Sequence, residues 1–208
     1  IRDLIVTGVQ TCALPICVMK LEDLLKMAQD KAMERLETAN IGNDFSDDEK
    51  QDIATKIGLA TIKFSDLQNN PVTDYVFDLD RMTSFEGKTG PYILYQAVRI
   101  KSLLRKAAAQ NDTPSNTINI TEENKALMLL MSELPAVLTG SCRNYSPHIL
   151  ADYVYNLAQG FSSFYNNCHI LSEKNADVKA NHLTLCKLVS DQLETCMGLL
   201  GIEVPERM

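Results

Sequence analysis

The sequence predicts an all-α protein, a helical bundle in its second half preceded by a helix pair and a loop. Three observations carry this: apolar residues recur at helical spacing along the chain, capping residues and prolines stand where helices would open, and only one short stretch favours extended backbone. With 45% hydrophobic and 23% charged residues among 208, the chain can bury a real core and is not of the disordered class. No apolar run approaches the roughly 18 residues that a bilayer-spanning helix needs, and 6 cysteines are too few for a disulfide-dense secreted scaffold. The expectation is a soluble cytoplasmic protein with no membrane partner. A formal charge of -7 argues against indiscriminate coating of nucleic acid and leaves room for a local basic patch.

Residues 1–16, IRDLIVTGVQTCALPI, have no helical period and no capping signal. The run from Val6 to Ile16 resembles the conceptual translation of a sequencing adapter, so this segment is expected to be non-native and Cys12 no residue of the protein. A secretory signal fits less well, because Arg2 is balanced by Asp3 and polar residues interrupt the apolar stretch. From Lys20 to Ala39, Leu21, Leu24, Leu25, Ala28, Ala32 and Leu36 line one face of an amphipathic helix, which Gly42 ends. Ser46 followed by Glu49 is a capping box that opens a second helix through Ile53, Ile57 and Ala60. Pro71 breaks the chain, and Val72, Tyr75 and Phe77 then read as a loop and short extended segment. Ser84 to Gly90, with two glycines, reads as an exposed loop.

A third helix opens at Pro91 and runs to about Gln110, followed by the polar linker NDTPSNTINI. Thr121, Glu122, Glu123 and Asn124 cap a fourth, whose apolar run ends against Pro135; Pro147 opens a fifth that reaches to about Leu171. The last spans about Ala176 to Leu200, its apolar face made of Leu183, Leu185, Leu188, Val189, Leu193, Met197 and Leu200, with Gly201 as its stop.

Common cofactor, phosphate and zinc signatures are missing: there is no G-x-G-x-x-G, no Walker loop, no H-E-x-x-H and no C-x-x-C. Cys142, Cys168, Cys186 and Cys196 read mainly as structural thiols, and His148, His169 and His182 have no acid or cysteine at metal spacing along the sequence, so no metal site is expected. The exception to this plainness is the stretch from Gly87 to Asn111, which carries Lys88, Arg99, Lys101, Arg105 and Lys106 with no acidic residue. On a helix, Tyr92, Tyr95, Arg99 and Lys106 fall within roughly one sixth of the circumference. Rings beneath bases and cations on phosphates hold unstacked nucleotides in this way. From periodicity alone the plainer reading is stronger: tyrosines packed in the bundle and cations forming a solvated face.

A resemblance changes that balance. The stretch IGLATIKFSDLQNNPVTDYVFDLDRMTSFEGKTGPYILYQAVRIKSLLRKA closely resembles the post-catalytic segment of arginyl-tRNA synthetases. PHILADYVYNLAQGFSSFYNNC and the closing MGLLGIEVPERM resemble their helical DALR anticodon-binding domain, and the likeness runs from about Val18 to Met208. The resemblance implies residues 17–90 as the tail of a truncated catalytic region with its connecting loop, and residues 91–208 as the anticodon-binding domain. By motif match it implies anticodon contacts at Tyr92, Tyr95, Arg99, Tyr165 and Met208, with Arg105 matched less closely, and a tRNA-facing loop of Phe85, Glu86, Gly87, Lys88 and Thr89. A terminal methionine beside a base would explain an end at PERM.

The departures bear on activity. The family binds ATP through an HIGH-like signature and a KMSKS-like loop, and neither is present in this sequence. The whole enzyme is expected to activate L-arginine with ATP and Mg²⁺ as arginyl-adenylate and transfer it to tRNA(Arg). This portion alone is expected to bind and position the anticodon stem-loop, to hold no cofactor and to be inactive. The family suggests a monomer. The alternative is a free-standing helical module that binds tRNA or a protein without ligase activity. In the whole enzyme, the leucine face of the first helix is expected to pack on the catalytic domain and so to be exposed here.

Overall fold

Ser46 opens the second helix and Gly201 stops the last one as expected in the computed structural model, which describes residues 20–38, 42 and 44–208, whereas Asn124 makes no side-chain cap bond at the helix it precedes. The adapter-like residues 1–16 lie outside that range. Among the described residues the elements are α1 (Leu21–Thr38), α2 (Asp47–Leu67), α3 (Leu79–Met82), α4 (Gly90–Ala109), α5 (Lys125–Ser132), α6 (Leu134–Asn144), α7 (Pro147–Asn167) and α8 (Ala176–Leu199). No strand occurs among them, so the all-α expectation holds. No described helix is long and apolar enough to cross a membrane.

Local chemistry sets the boundaries. The Ser46 hydroxyl accepts from the Glu49 amide at 3.3 Å, and the Thr89 hydroxyl accepts from the Tyr92 amide at 3.2 Å, so α2 and α4 each start on a satisfied donor. α8 ends in a Schellman arrangement: the Ile202 N–H donates to the Met197 carbonyl at 2.9 Å, the Gly201 N–H to that of Gly198, and Gly201 adopts φ 69°. Glycine supplies that left-handed residue without a Cβ penalty.

α2, α4, α7 and α8 enclose the core, in which Phe64, Ile93, Leu94, Phe161, Leu185, Leu193 and Met197 are fully buried. Gly90 marks the closest approach of α4 to α2, since a Cβ there would stand 2.4 Å from the Ala60 carbonyl oxygen. The linker after α4 is laced to α8 rather than loose. Asn181 accepts from the Asn119 amide at 2.7 Å and returns a bond to its carbonyl at 3.0 Å, while Thr184 donates to Ser115 at 3.0 Å.

Several local expectations are corrected. Pro135 opens α6 rather than ending the chain's helical run, because proline at a first-turn position needs no N–H partner. α7 stops at Asn167, and Ile170–Ser172 forms a separate 3₁₀ turn. Val72, Tyr75 and Phe77 lie in backbone that pairs with no strand, and α3 follows, capped by Asp78. Leu188 is 42% exposed, off the buried face of α8. The loop 84–89 is exposed at Glu86 and Gly87, whereas Thr89 is only 4% exposed, as its hydroxyl donates to the Ser84 carbonyl at 2.6 Å. The leucine face of α1 is not left bare: Ala28, Ala32 and Leu36 are buried and α1 packs on α2, leaving Leu21 exposed at its start.

Candidate nucleic-acid interface

One face of α4, the second half of α7 and the last residue meet around a cavity of about 220 Å³. Its lining joins Tyr95, Arg99 and Lys106 of α4 with Tyr165 of α7 and Met208, over an apolar floor that includes Val98, Leu103 and Leu171. Residues 95, 98, 99, 102 and 106 recur at three- and four-residue steps, so helical spacing presents them as one stripe. Across the cavity, the Arg99 guanidinium lies over the Tyr165 ring, 3.9 Å from its centroid, and the Phe161 ring packs at a tilt against the same ring with centroids 5.9 Å apart. A cation held flat on an aromatic face keeps its edge donors free for oxygen acceptors. Tyr95 is 41% exposed, a ring standing in solvent at the mouth.

Tyr92 is placed differently. Its ring packs on Tyr155 with centroids 5.8 Å apart and does not line the cavity, and burial raises its hydroxyl pKa above the usual value. Arg105 is turned to the chain end, where its guanidinium donates to the Glu206 carbonyl at 2.7 Å. In the loop before α4, Gly87 takes φ 77°, the Glu86 amide donates to the Ser84 hydroxyl at 3.1 Å, Phe85 packs against the core and Lys88 is hydrogen-bonded to Asp152. That loop sits at the N-terminal end of α4, and Arg99 lies about 14 Å further along the axis at 1.5 Å per residue.

Tertiary contacts bring carboxylates to two of the five cations in the stretch that reads as acid-free in sequence. Lys101 pairs with Glu206 at 2.8 Å and Glu194 at 3.1 Å, and Lys88 pairs with Asp152. Burial works to lower the Lys101 pKa, but the hydrogen bonds that its ammonium donates to Glu206 and Glu194 together outweigh it and raise the value, and the Lys101 ammonium in turn lowers that of Glu206. Arg99 and Lys106 have no carboxylate partner among the described residues, which leaves their charge directed to the cavity. Ser102 and Lys106 belong to this lining and are absent from the motif-matched contacts; the helical step from Tyr95 and Arg99 is the signal that reaches them.

The tail that delivers Met208 is tied at several points. Lys63 donates to the Gly201 carbonyl, Lys56 pairs with Glu203 at 2.7 Å, and Arg207 grips Glu49 with two bonds of 2.5 and 2.7 Å while stacking on Phe45 at 4.3 Å. Elsewhere, folding corrects the reading of the histidines: His182 does have an acid and a cysteine nearby, Glu123 and Cys168, supplied by distant parts of the chain.

The DALR anticodon binding domain profile matches residues 93–208, and that of the class I (R) tRNA synthetase catalytic domain matches residues 16–79. The arginine–tRNA ligase of Maricaulis maris is 48% identical over 189 residues, covering 91% of this chain and 32% of that protein. That of Hyphomonas neptunium is 46% identical over 191 residues, with 92% and 32% covered. Among solved structures, Thermus thermophilus arginyl-tRNA synthetase superposes with a TM-score of 0.81 at 27% identity, covering 91% of this chain and 32% of that one. The Plasmodium falciparum arginyl-tRNA synthetase gives 0.78 at 28% identity, with 92% and 34% covered. The chain thus spans about a third of the length of the relatives it matches.

Proposed function

Because the chain belongs to the arginyl-tRNA synthetase family through its DALR anticodon binding domain, we propose that it is the C-terminal part of an arginine–tRNA ligase and that it binds and positions the anticodon stem-loop of tRNA(Arg). The observation that supports this reading is the convergence of Tyr95, Arg99, Tyr165 and Met208 on one cavity. An unstacked base enters beside the Tyr165 ring and Met208, Tyr95 offers a second stacking face, and Arg99 and Lys106 take phosphate or base-edge oxygens. Tyr92 and Arg105 act in this scheme from behind: Tyr92 sets α4 against α7, and Arg105 fixes the tail that carries Met208. Lys88 and the exposed Glu86 and Gly87 face the stem.

In the whole ligase, L-arginine is joined to tRNA through arginyl-adenylate with ATP and Mg²⁺, in the cytoplasm and as a monomer. The residues present here do not fit ATP or Mg²⁺. The sequence has no H-x-G-H and no KMSKS-like loop, and the cavity beside α4 is lined by aromatic, apolar and basic groups without a phosphate-cradling glycine loop. No ATP-dependent step is therefore assigned to this chain.

The test is binding of cognate and anticodon-swapped tRNA transcripts to the wild-type chain and to Tyr165→Ala. Loss of one base stack weakens cognate binding by about 1 to 3 kcal/mol while helicity is kept. Equal binding of both transcripts by both proteins would overturn the assignment.

A further inference from the structure

We propose that Glu123, Cys168 and His182 form a binding site for a borderline-soft divalent cation of the Zn²⁺ type, which pins the turn before α5 and the end of α7 to α8. One ligand atom from each residue lies within 4.8 Å of the others. His182 is 4% exposed, yet neither ring nitrogen has a hydrogen-bond partner. Burying an unpaired imidazole costs free energy that a metal bond would offset. Its Nε2 stands 3.5 Å from the Glu123 carboxylate, long for a hydrogen bond but close to the roughly 3.3 Å edge between nitrogen and oxygen donors of tetrahedral zinc.

The supporting structure holds these donors from three directions. The Phe164 ring meets the His182 ring edge-on at 5.3 Å, and the Cys168 amide donates to the Phe164 carbonyl at 2.9 Å, so one turn of α7 sets both the imidazole plane and the thiol. Asn124 and Asn181, the neighbours of Glu123 and His182, both donate to the Asn119 carbonyl, at 2.8 and 3.0 Å. That shared carbonyl fixes the turn against the helix, as outer partners do in metal sites. Glu123 is 63% exposed at its side chain and swings inward to close the set. Nitrogen, sulfur and oxygen donors in one site favour Zn²⁺ over Mg²⁺ or Ca²⁺, and three protein ligands leave the fourth position for water. Coordination releases the Cys168 proton to solvent and removes the repulsion between thiolate and the Glu123 carboxylate.

The experiment uses the full chain, stripped with a chelator, titrated with Zn²⁺ against a chromophoric competitor and, in parallel, with Co²⁺ read by its thiolate charge-transfer and visible bands. The expected result is one tightly held metal per chain with a tetrahedral thiolate spectrum. Glu123→Gln and His182→Gln each weaken binding at least about tenfold, and Cys142→Ser leaves it unchanged. Glu123→Gln alters an exposed carboxylate and keeps the fold, so it remains informative if His182→Gln is unstable. Failure of the wild-type chain to bind, binding equally tight in Glu123→Gln, or binding lost in Cys142→Ser would each overturn the site.

Discussion

Adding one methyl group at Gly90 tests the seam on which the site is built. An alanine Cβ there meets the Ala60 carbonyl oxygen at 2.4 Å, its carbon at 2.6 Å and the Thr61 nitrogen at 3.1 Å, where ordinary contact begins near 3.4 Å. The obstacle is backbone, which has no rotamer to give, so α2 and α4 must part by about 1 Å, a gap that forfeits a quarter to a half of each contact along the seam. Overpacking of this kind costs up to about 3 kcal/mol. Alanine in place of glycine returns up to about 1 kcal/mol of helix propensity. The net loss is about 2 kcal/mol, or a fall in Tm of about 4 to 8 °C for a chain of this size. Thermal melts followed by far-ultraviolet circular dichroism measure it, with Gly140→Ala and Gly198→Ala as controls, since nothing lies within 4 Å of a Cβ at either. Both controls are expected to be neutral or slightly stabilising. A Gly90→Ala protein that melts with the wild type, or a Gly140→Ala protein that falls as far, would refute the argument.

Other outcomes follow from the same geometry. Lys106→Ala should lower the slope of log affinity against log salt for tRNA by about 1, whereas Tyr165→Ala should weaken binding with the slope kept; the reverse pattern would mean that Lys106 touches no phosphate. Burial pushes the Cys186 thiol up to about 12 and that of Cys196 to about 11, from the ordinary 9.0. With both folded values raised, their contribution is complete below pH 9.0 and is lost as pH rises toward the folded values, at about 1.4 kcal/mol per pH unit per thiol. Urea midpoints should therefore hold below about pH 9 and drop between about pH 9 and pH 11, by less in Cys196→Ala, and a midpoint that stays constant counts against buried neutral thiols. The Arg207 guanidinium holds the Glu49 carboxyl below its usual 4.5, and Lys101 does the same for Glu206. Their contribution is present above that value and lost as pH falls through the depressed ones, so limited proteolysis in acid should release the tail before α8 opens; simultaneous loss would show that the tail is not held by these pairs.

What could be read in advance was what lies close along the chain. α2 and α8 announce themselves through Ser46, Gly201 and their apolar spacing, and the stripe of Tyr95, Arg99 and Lys106 is a matter of helical angle. α6 escaped notice because only Glu133 separates it from α5, so Pro135, which stands in its first turn, reads as the end of the preceding helix. Tyr165 and Met208 carry no periodic signal that points to α4, and only resemblance to a family singled them out. The acids that quench Lys101 come from Glu194 and Glu206, far along the chain, and so does the company of His182. Such pairings arise from the packing of helices, for which the sequence holds no local mark.

The chain's last stretch also limits how the protein can be taken apart. Gly201, Glu203 and Arg207 are fastened to Lys63, Lys56 and Glu49 of α2, while Glu206 is fastened to Lys101 and Arg105 of α4. A cut between residues 79 and 93, where the two family matches part company, would remove every anchor on α2 and leave the tail with its polar ties to α4 and the packing of Met208 beside Tyr165 and Leu171. Anyone preparing a minimal anticodon reader from this chain would therefore do better to keep α2, since the piece that looks separable in an alignment is stitched across the join.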